Sequence, residues 1–154
     1  MKIKDILSTH CVACAVETTS KKRTLEKLAE VISASHTELT DDEIFESLIA
    51  RERLGSTGIG HGVAIPHGRI HTEEKSIAAF MQLQSTVDFD SIDGKPVDLV
   101  FGLLVPENST DEHLKILSEV ATLFNDTSIC EQLRQATTTH ELHTILTSYP
   151  SSED

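Results

Sequence analysis

Val97-Asp98-Leu99-Val100-Phe101-Gly102-Leu103-Leu104-Val105 is apolar at nearly every position. A strand with one wet face alternates apolar with polar side chains, whereas a strand covered on both faces reads as a near-continuous apolar run. The run therefore predicts a central strand, with layers packed on either side of its sheet. Outward from it, Ile77 to Leu83 is a second β-rich segment, Val63-Ala64-Ile65 a short buried strand and Cys11 to Val16 a first strand. Leu25, Leu28, Ala29 and Ile32 recur at helical spacing on a segment opening near Ser20. Thr40-Asp41-Asp42-Glu43 is a capping box for a helix that turns Ile44, Leu48 and Ile49 inward and reaches about Arg53, with Gly55 beyond its end. Ser109-Thr110-Asp111-Glu112 is a second box, and its helix is expected to bury Leu114, Leu117, Val120, Ala121 and Phe124. Shorter helices are expected at Ser128 to Arg134 and from Thr138 to Leu146. Strands interspersed with helices make a single layered α/β domain.

A chain of 154 residues is one domain by length and can bury ~70% of the surface its unfolded form exposes, so no staple is required. It reads as one packed unit over residues 1–148 with a flexible tail over 149–154. The 13 Lys and Arg stand against 25 Asp and Glu, a formal net charge of -12. That balance opposes the attraction that supplies most nucleic-acid affinity, and nucleic acid is excluded as a partner. The N-terminus lacks an apolar core with a cleavage site, and no run approaches ~20 apolar residues, so a cytoplasmic protein without membrane insertion is expected. Cys11, Cys14 and Cys130 are an odd set, in keeping with a reducing compartment. Cys11 and Cys14 are three apart on an expected strand and point to opposite faces, which argues against a shared metal and for structural thiols.

The stretch Gly55-Ser56-Thr57-Gly58-Ile59-Gly60-His61-Gly62-Val63-Ala64-Ile65-Pro66-His67-Gly68 places five glycines and a Pro-His-Gly turn within fourteen residues. Such density is expected where the backbone takes positive φ or lets a ligand approach its N–H groups, and those groups suit an anion such as a phosphoryl group. Pro66 cannot donate a ladder hydrogen bond, so it ends the short strand and fixes how His67 leaves it. Gly68 removes bulk beside the imidazole. Without further context, the same residues also describe a glycine-rich turn with a surface histidine.

Ile59 to Gly68, with Arg51 to Gly58 before it, resembles the phosphohistidine signature of the IIA proteins of the bacterial phosphoenolpyruvate-dependent phosphotransferase system, in the mannitol/fructose class. The likeness extends through Phe89 to Pro106 and Glu112 to Ser118 and is strongest to the nitrogen-related branch. It implies a mixed parallel and antiparallel sheet flanked by helices on both sides. It also implies that His67 accepts phosphate on Nε2 from an HPr-type phosphocarrier protein, with Arg51 and His113 stabilising the phosphoryl group and no cofactor. An imidazole suits this chemistry, being unprotonated near neutral pH yet a good leaving group. Arg51 and Arg53 both lie near one helix end, where an arginine can simply complement the dipole. The resemblance selects Arg51, and Arg53 is read as that ordinary terminal cation. His113 falls in the first turn of its helix, where an anion is favoured.

His61, His67 and His71 form H-x5-H-x3-H, a loose zinc-like spacing with no acidic or cysteine ligand fixed beside it, and no metal is expected. His61 stands where related sequences often have Asn. His10, His36, His140 and His143 are expected at the surface. The leading function is a phosphocarrier that binds regulatory protein targets differently in its two phosphorylation states. Passage of phosphate to a IIB domain for mannitol- or fructose-type sugar uptake is the main alternative. A metal hydrolase and a purely structural interaction module are weaker ones.

Overall fold

The computed structural model describes residues 2–71, 75–108 and 111–150. Along them follow α1 (Ile3–Ile6), β1 (Leu7–Val16), α2 (Lys21–Ser35), α3 (Asp41–Glu52), β2 (Gly58–Gly60), β3 (Val63–Ala64), β4 (His67–Ile70), β5 (Ile77–Val87), β6 (Val97–Pro106), α4 (Asp111–Phe124), α5 (Thr127–Gln135) and α6 (Thr139–Ser148). β6 lies inside the sheet, as its unbroken apolar run requires. It pairs antiparallel with β5 and parallel with β3 and β4, while β1 joins β5 in parallel and β2 joins β3 antiparallel. Leu99, Phe101, Leu103 and Val105 of β6 enter one core with residues of α1, α4, α5 and α6, and Val100 and Leu104 enter another with residues of α2 and α3. The result is a single α/β domain with a mixed sheet and helices on both faces.

Local signals explain several boundaries. Ser20 Oγ accepts from Arg23 N at the start of α2. At α3, Thr40 Oγ1 accepts from Glu43 N at 3.1 Å while the Glu43 carboxylate receives Thr40 N, the reciprocal box expected from the sequence. Thr138 caps α6 by accepting Glu141 N, while the Glu141 carboxylate receives Thr137 N. Cys11 and Cys14 contact opposite cores, and all three cysteines are free.

Other expectations need correction. β1 begins at Leu7, and the one-turn α1 carries no helical periodicity long enough to read. α4 is rotated from its expected phase. It buries Ile116, Val120, Leu123 and Phe124, while Leu114 is 67% exposed and Ala121 faces solvent. The Ser109-Thr110 half of its expected capping box lies outside the described residues. His143 is not a free surface residue: its Nε2 donates to Leu7 O at 2.9 Å and ties α6 to β1. In the expected tail, Tyr149 packs against the core with its hydroxyl 3.4 Å from Asp126 Oδ2, and residues 151–154 lie outside the description.

The region around Pro66 positions the site. β3 and β4 run in succession along the same side of β6, opposite Leu99–Val100 and Leu103–Pro106 respectively. Pro66 interrupts them because it has no N–H, yet its carbonyl still accepts from Leu103 N at 2.9 Å. His67 therefore opens a strand rather than standing in a turn. Gly68 serves packing, not ligand approach. A Cβ there would lie 3.0 Å from Ser47 O and closer still to the Ser47 hydroxyl, which donates to Arg69 O at 2.7 Å. Gly68→Ala is expected to cost about 1–3 kcal/mol by overpacking α3 against β4. The measurement is the urea midpoint at unchanged slope, and wild-type stability would show that α3 yields freely.

Candidate functional site

His67 is half-buried at the start of β4. Its Nδ1 lies 2.8 Å from Ile65 O. A carbonyl can only accept, so Nδ1 carries the proton and Nε2 of the neutral ring keeps its lone pair. Burial lowers the pKa of His67; the Ile65 hydrogen bond acts in the opposite sense, and the Arg51 cation adds to the lowering. The balance favours the neutral ring, with its lone pair at Nε2.

His113 comes from the first turn of α4, on the far side of β6 in sequence, and its ring centroid lies 5.5 Å from that of His67 at a 53° tilt. Its Nδ1 is buried and has no hydrogen-bond partner among the described residues. Burial lowers the pKa of His113 first, with His67, Arg69 and Arg51 adding electrostatic pressure against a second proton. Both adjacent imidazoles are thus biased toward the neutral form, with the His67 lone pair at Nε2.

Arg51 sits in the last turn of α3, and its Nη1 donates to Gly55 O at 3.0 Å. Its charge acts on both histidines, whereas Arg53 figures in neither shift. Arg53 is the C-cap of α3 and is exposed. Arg69, overlooked in the sequence, adds a second cation beside His113. The signal was there: residues two apart on a strand share a face, and Arg69 follows His67 by that step.

The glycine stretch folds as a β2–β3 hairpin whose tip needs positive φ at Gly60, His61 and Gly62. Several of its N–H groups are used internally rather than offered to an anion: Gly58 N donates to Ser56 Oγ and His61 N to Asp93 Oδ2, each at 3.0 Å. His61 O accepts from Arg134, which also pairs with Asp98. His71 lies apart from this tip, 3.4 Å from Glu107 Oε2.

The depressed histidine values set a pH dependence. Where the folded-state pKa is below the usual ~6.5, the unfolded chain takes the proton more readily, so stability falls as pH drops through 6.5 toward the folded value and is unaffected above it. The neutral form of His67 survives over that same window. Ring titration by NMR is expected to place both midpoints below 6.5; a value at or above 6.5 for His67 contradicts the burial argument.

The family model for "Phosphoenolpyruvate-dependent sugar phosphotransferase system, EIIA 2" matches residues 5–149. The chain belongs to the EIIA 2 family. It is 40% identical over 155 residues to a "Nitrogen regulatory protein" of Escherichia coli (strain K12), spanning 100% of this chain and 94% of that one. Among solved structures it is similar to the nitrogen regulatory protein IIA-Ntr from Neisseria meningitidis, with a TM-score of 0.88, 44% identity and coverage of 94% and 99% of the two chains. The EIIA 2 fold also appears in a complex of enzyme IIAMTL with phosphorylated enzyme IIBMTL from Escherichia coli, at a TM-score of 0.75, 19% identity and coverage of 94% and 100%. At that identity the likeness shows the fold alone. No helix among the described residues is long and apolar enough to cross a membrane.

Proposed function

We propose that this EIIA 2 protein is a cytoplasmic phosphocarrier that accepts a phosphoryl group on His67 Nε2 from the phosphohistidine of an HPr-type carrier protein. The observation that carries the reading is the hydrogen bond from His67 Nδ1 to Ile65 O. It leaves Nε2 as the nucleophile. The Nε2 lone pair forms the new P–N bond as the donor's P–N bond breaks, and that electron pair returns to the donor imidazole. No proton has to leave His67, because its own proton stays on Nδ1. His113 and the Arg51 guanidinium meet the charge on the phosphoryl oxygens, where fixed donors matter most.

A protein donor is supported by the surface. The large apolar side chains that stand exposed include Leu54 at 83%, Ile92 at 87% and Leu114 at 67%. Each belongs to a segment of the site: Leu54 follows the Arg51 helix, Leu114 follows His113, and Ile92 N donates to Gly58 O beside the hairpin. Exposed apolar side chains close in sequence to the reacting groups give a docking protein area to bury.

The regulatory reading takes its support from the nitrogen-regulatory names of the similar proteins. Close to two added negative charges at His67 would favour one partner and repel another. The test compares unphosphorylated protein, phosphoprotein and His67→Ala for binding to candidate regulatory targets, alongside sugar phosphorylation with IIB-containing membranes. Phosphorylation-dependent binding with little sugar phosphorylation is expected. Efficient sugar phosphorylation without phosphorylation-dependent binding would make passage to a IIB domain the better account.

A further inference from the structure

Glu52 is a charged residue in an apolar place. It continues the buried stripe of α3 formed by Ile44 and Leu48, and its side chain is 2% exposed. Lys21, at the start of α2, reaches it with Nζ 2.8 Å from Oε2. The carboxylate also receives Thr57 N at 3.1 Å and the Thr57 hydroxyl. A buried ion pair of this kind gives little net stability over an apolar pair, because desolvation offsets the attraction. The same Lys21 Nζ donates to Phe89 O, which also accepts from Ser56 Oγ.

From Thr57 the bonds continue to the nucleophile. Thr57 O accepts from Ile65 N at 3.0 Å, and Ile65 O accepts from His67 Nδ1 at 2.8 Å. A contiguous path therefore runs from the Lys21 ammonium through Glu52, Thr57 and the Ile65 peptide to the imidazole.

We propose that Glu52, held by Lys21, is a positioning residue that fixes the Ile65 peptide and thereby the tautomer and orientation of the His67 ring. The consequence for transfer rests on the reading of His67 as phosphoryl acceptor, while the tautomer itself does not. Glu52 touches neither the ring nor the phosphoryl group: its charge acts on His67 at a distance, favouring the protonated ring, and its hold on the tautomer runs through Thr57. Without that anchor the 57–65 pairing loosens, the Ile65 carbonyl drifts, and Nδ1–H and Nε2–H forms mix. Only the Nδ1–H form offers Nε2 as nucleophile.

The test uses 15N-labelled full chain as wild type, Glu52→Gln, Thr57→Val and the charge-neutral double variant Lys21→Met/Glu52→Gln. His67 ring nitrogen shifts are recorded against pH, and phosphate uptake is timed with enzyme I, carrier protein and phosphoenolpyruvate. Wild type is expected to show the Nδ1–H pattern. Glu52→Gln and the double variant are expected to show mixed tautomers and uptake slowed roughly ten- to a hundredfold, the scale of a small misplacement of a reacting group. Thr57→Val, which loses one hydroxyl, should shift in the same direction by less. Folded variants that keep the wild-type tautomer overturn the proposal, whatever their uptake rate. If Glu52→Gln fails to fold, the double variant and Thr57→Val decide by the same criterion. Should wild type take up no phosphate, the acceptor reading fails, and the tautomer comparison still decides the role of Glu52.

Discussion

His67→Ala is expected to take up no phosphate while remaining folded. The side chain offers the ring nitrogen placed for uptake, whereas the neighbouring imidazole, His113, has its Nδ1 buried. The backbone pairing does not need the ring. His67 pairs with Leu103 through the backbone, and the Pro66 carbonyl keeps its bond to Leu103 N. Exchange to alanine gives up the Nδ1 bond to Ile65 O and should cost about 1–3 kcal/mol, less than the total stability of a domain. Labelling from phosphoenolpyruvate through the carrier chain, with thermal unfolding as the control for the fold, checks both halves. Full labelling of folded His67→Ala would remove His67 from the centre of the mechanism.

Arg51→Ala should slow transfer by about 10²–10³-fold, the usual loss on removing one fixed donor from a site of developing charge. Two observations set Arg51 apart from Arg53. Its charge acts on both imidazoles, and its Nη1 bond to Gly55 O fixes the guanidinium against the chain leading into the hairpin. Arg53→Ala should change the rate little. Loss of the Arg51 charge should also raise the pKa of His67 and of His113, since that cation lowers both. Stopped uptake assays and NMR titration of the same variants make the comparison. A larger rate defect in Arg53→Ala, or unmoved histidine values in Arg51→Ala, contradicts the assignment.

Features governed by one segment could be read from the sequence. The apolar run Val97 to Val105 is the interior strand because continuous burial demands it, and the Thr40 box starts its helix because the cap is a local pairing. Features governed by two segments could not. The phase of α4 depends on where the sheet lies, and periodicity alone did not tell that Leu114 would face outward beside the site. Gly68 looked like space for a ligand, but Ser47 occupies that space, and only the packing of α3 on β4 reveals it. Family resemblance, not spacing, brought His113 to His67, since no local rule joins a strand residue to the first turn of a distant helix. Glu52 was legible in principle: a carboxylate four residues beyond Leu48 continues an apolar stripe, and a charge in that register asks for a partner. Its flanking arginines disguised it as part of a solvated helix end.

The central claim is that His67 reacts through Nε2 because its Nδ1 proton is committed to Ile65 O. Its most direct test is a long-range 1H–15N spectrum with 31P coupling, taken on protein phosphorylated by enzyme I, carrier protein and phosphoenolpyruvate. One phosphoryl group on His67, coupled to Nε2 with Nδ1 still protonated, is the expected result. Phosphate on His67 Nδ1, on His113, or on no histidine would contradict the account.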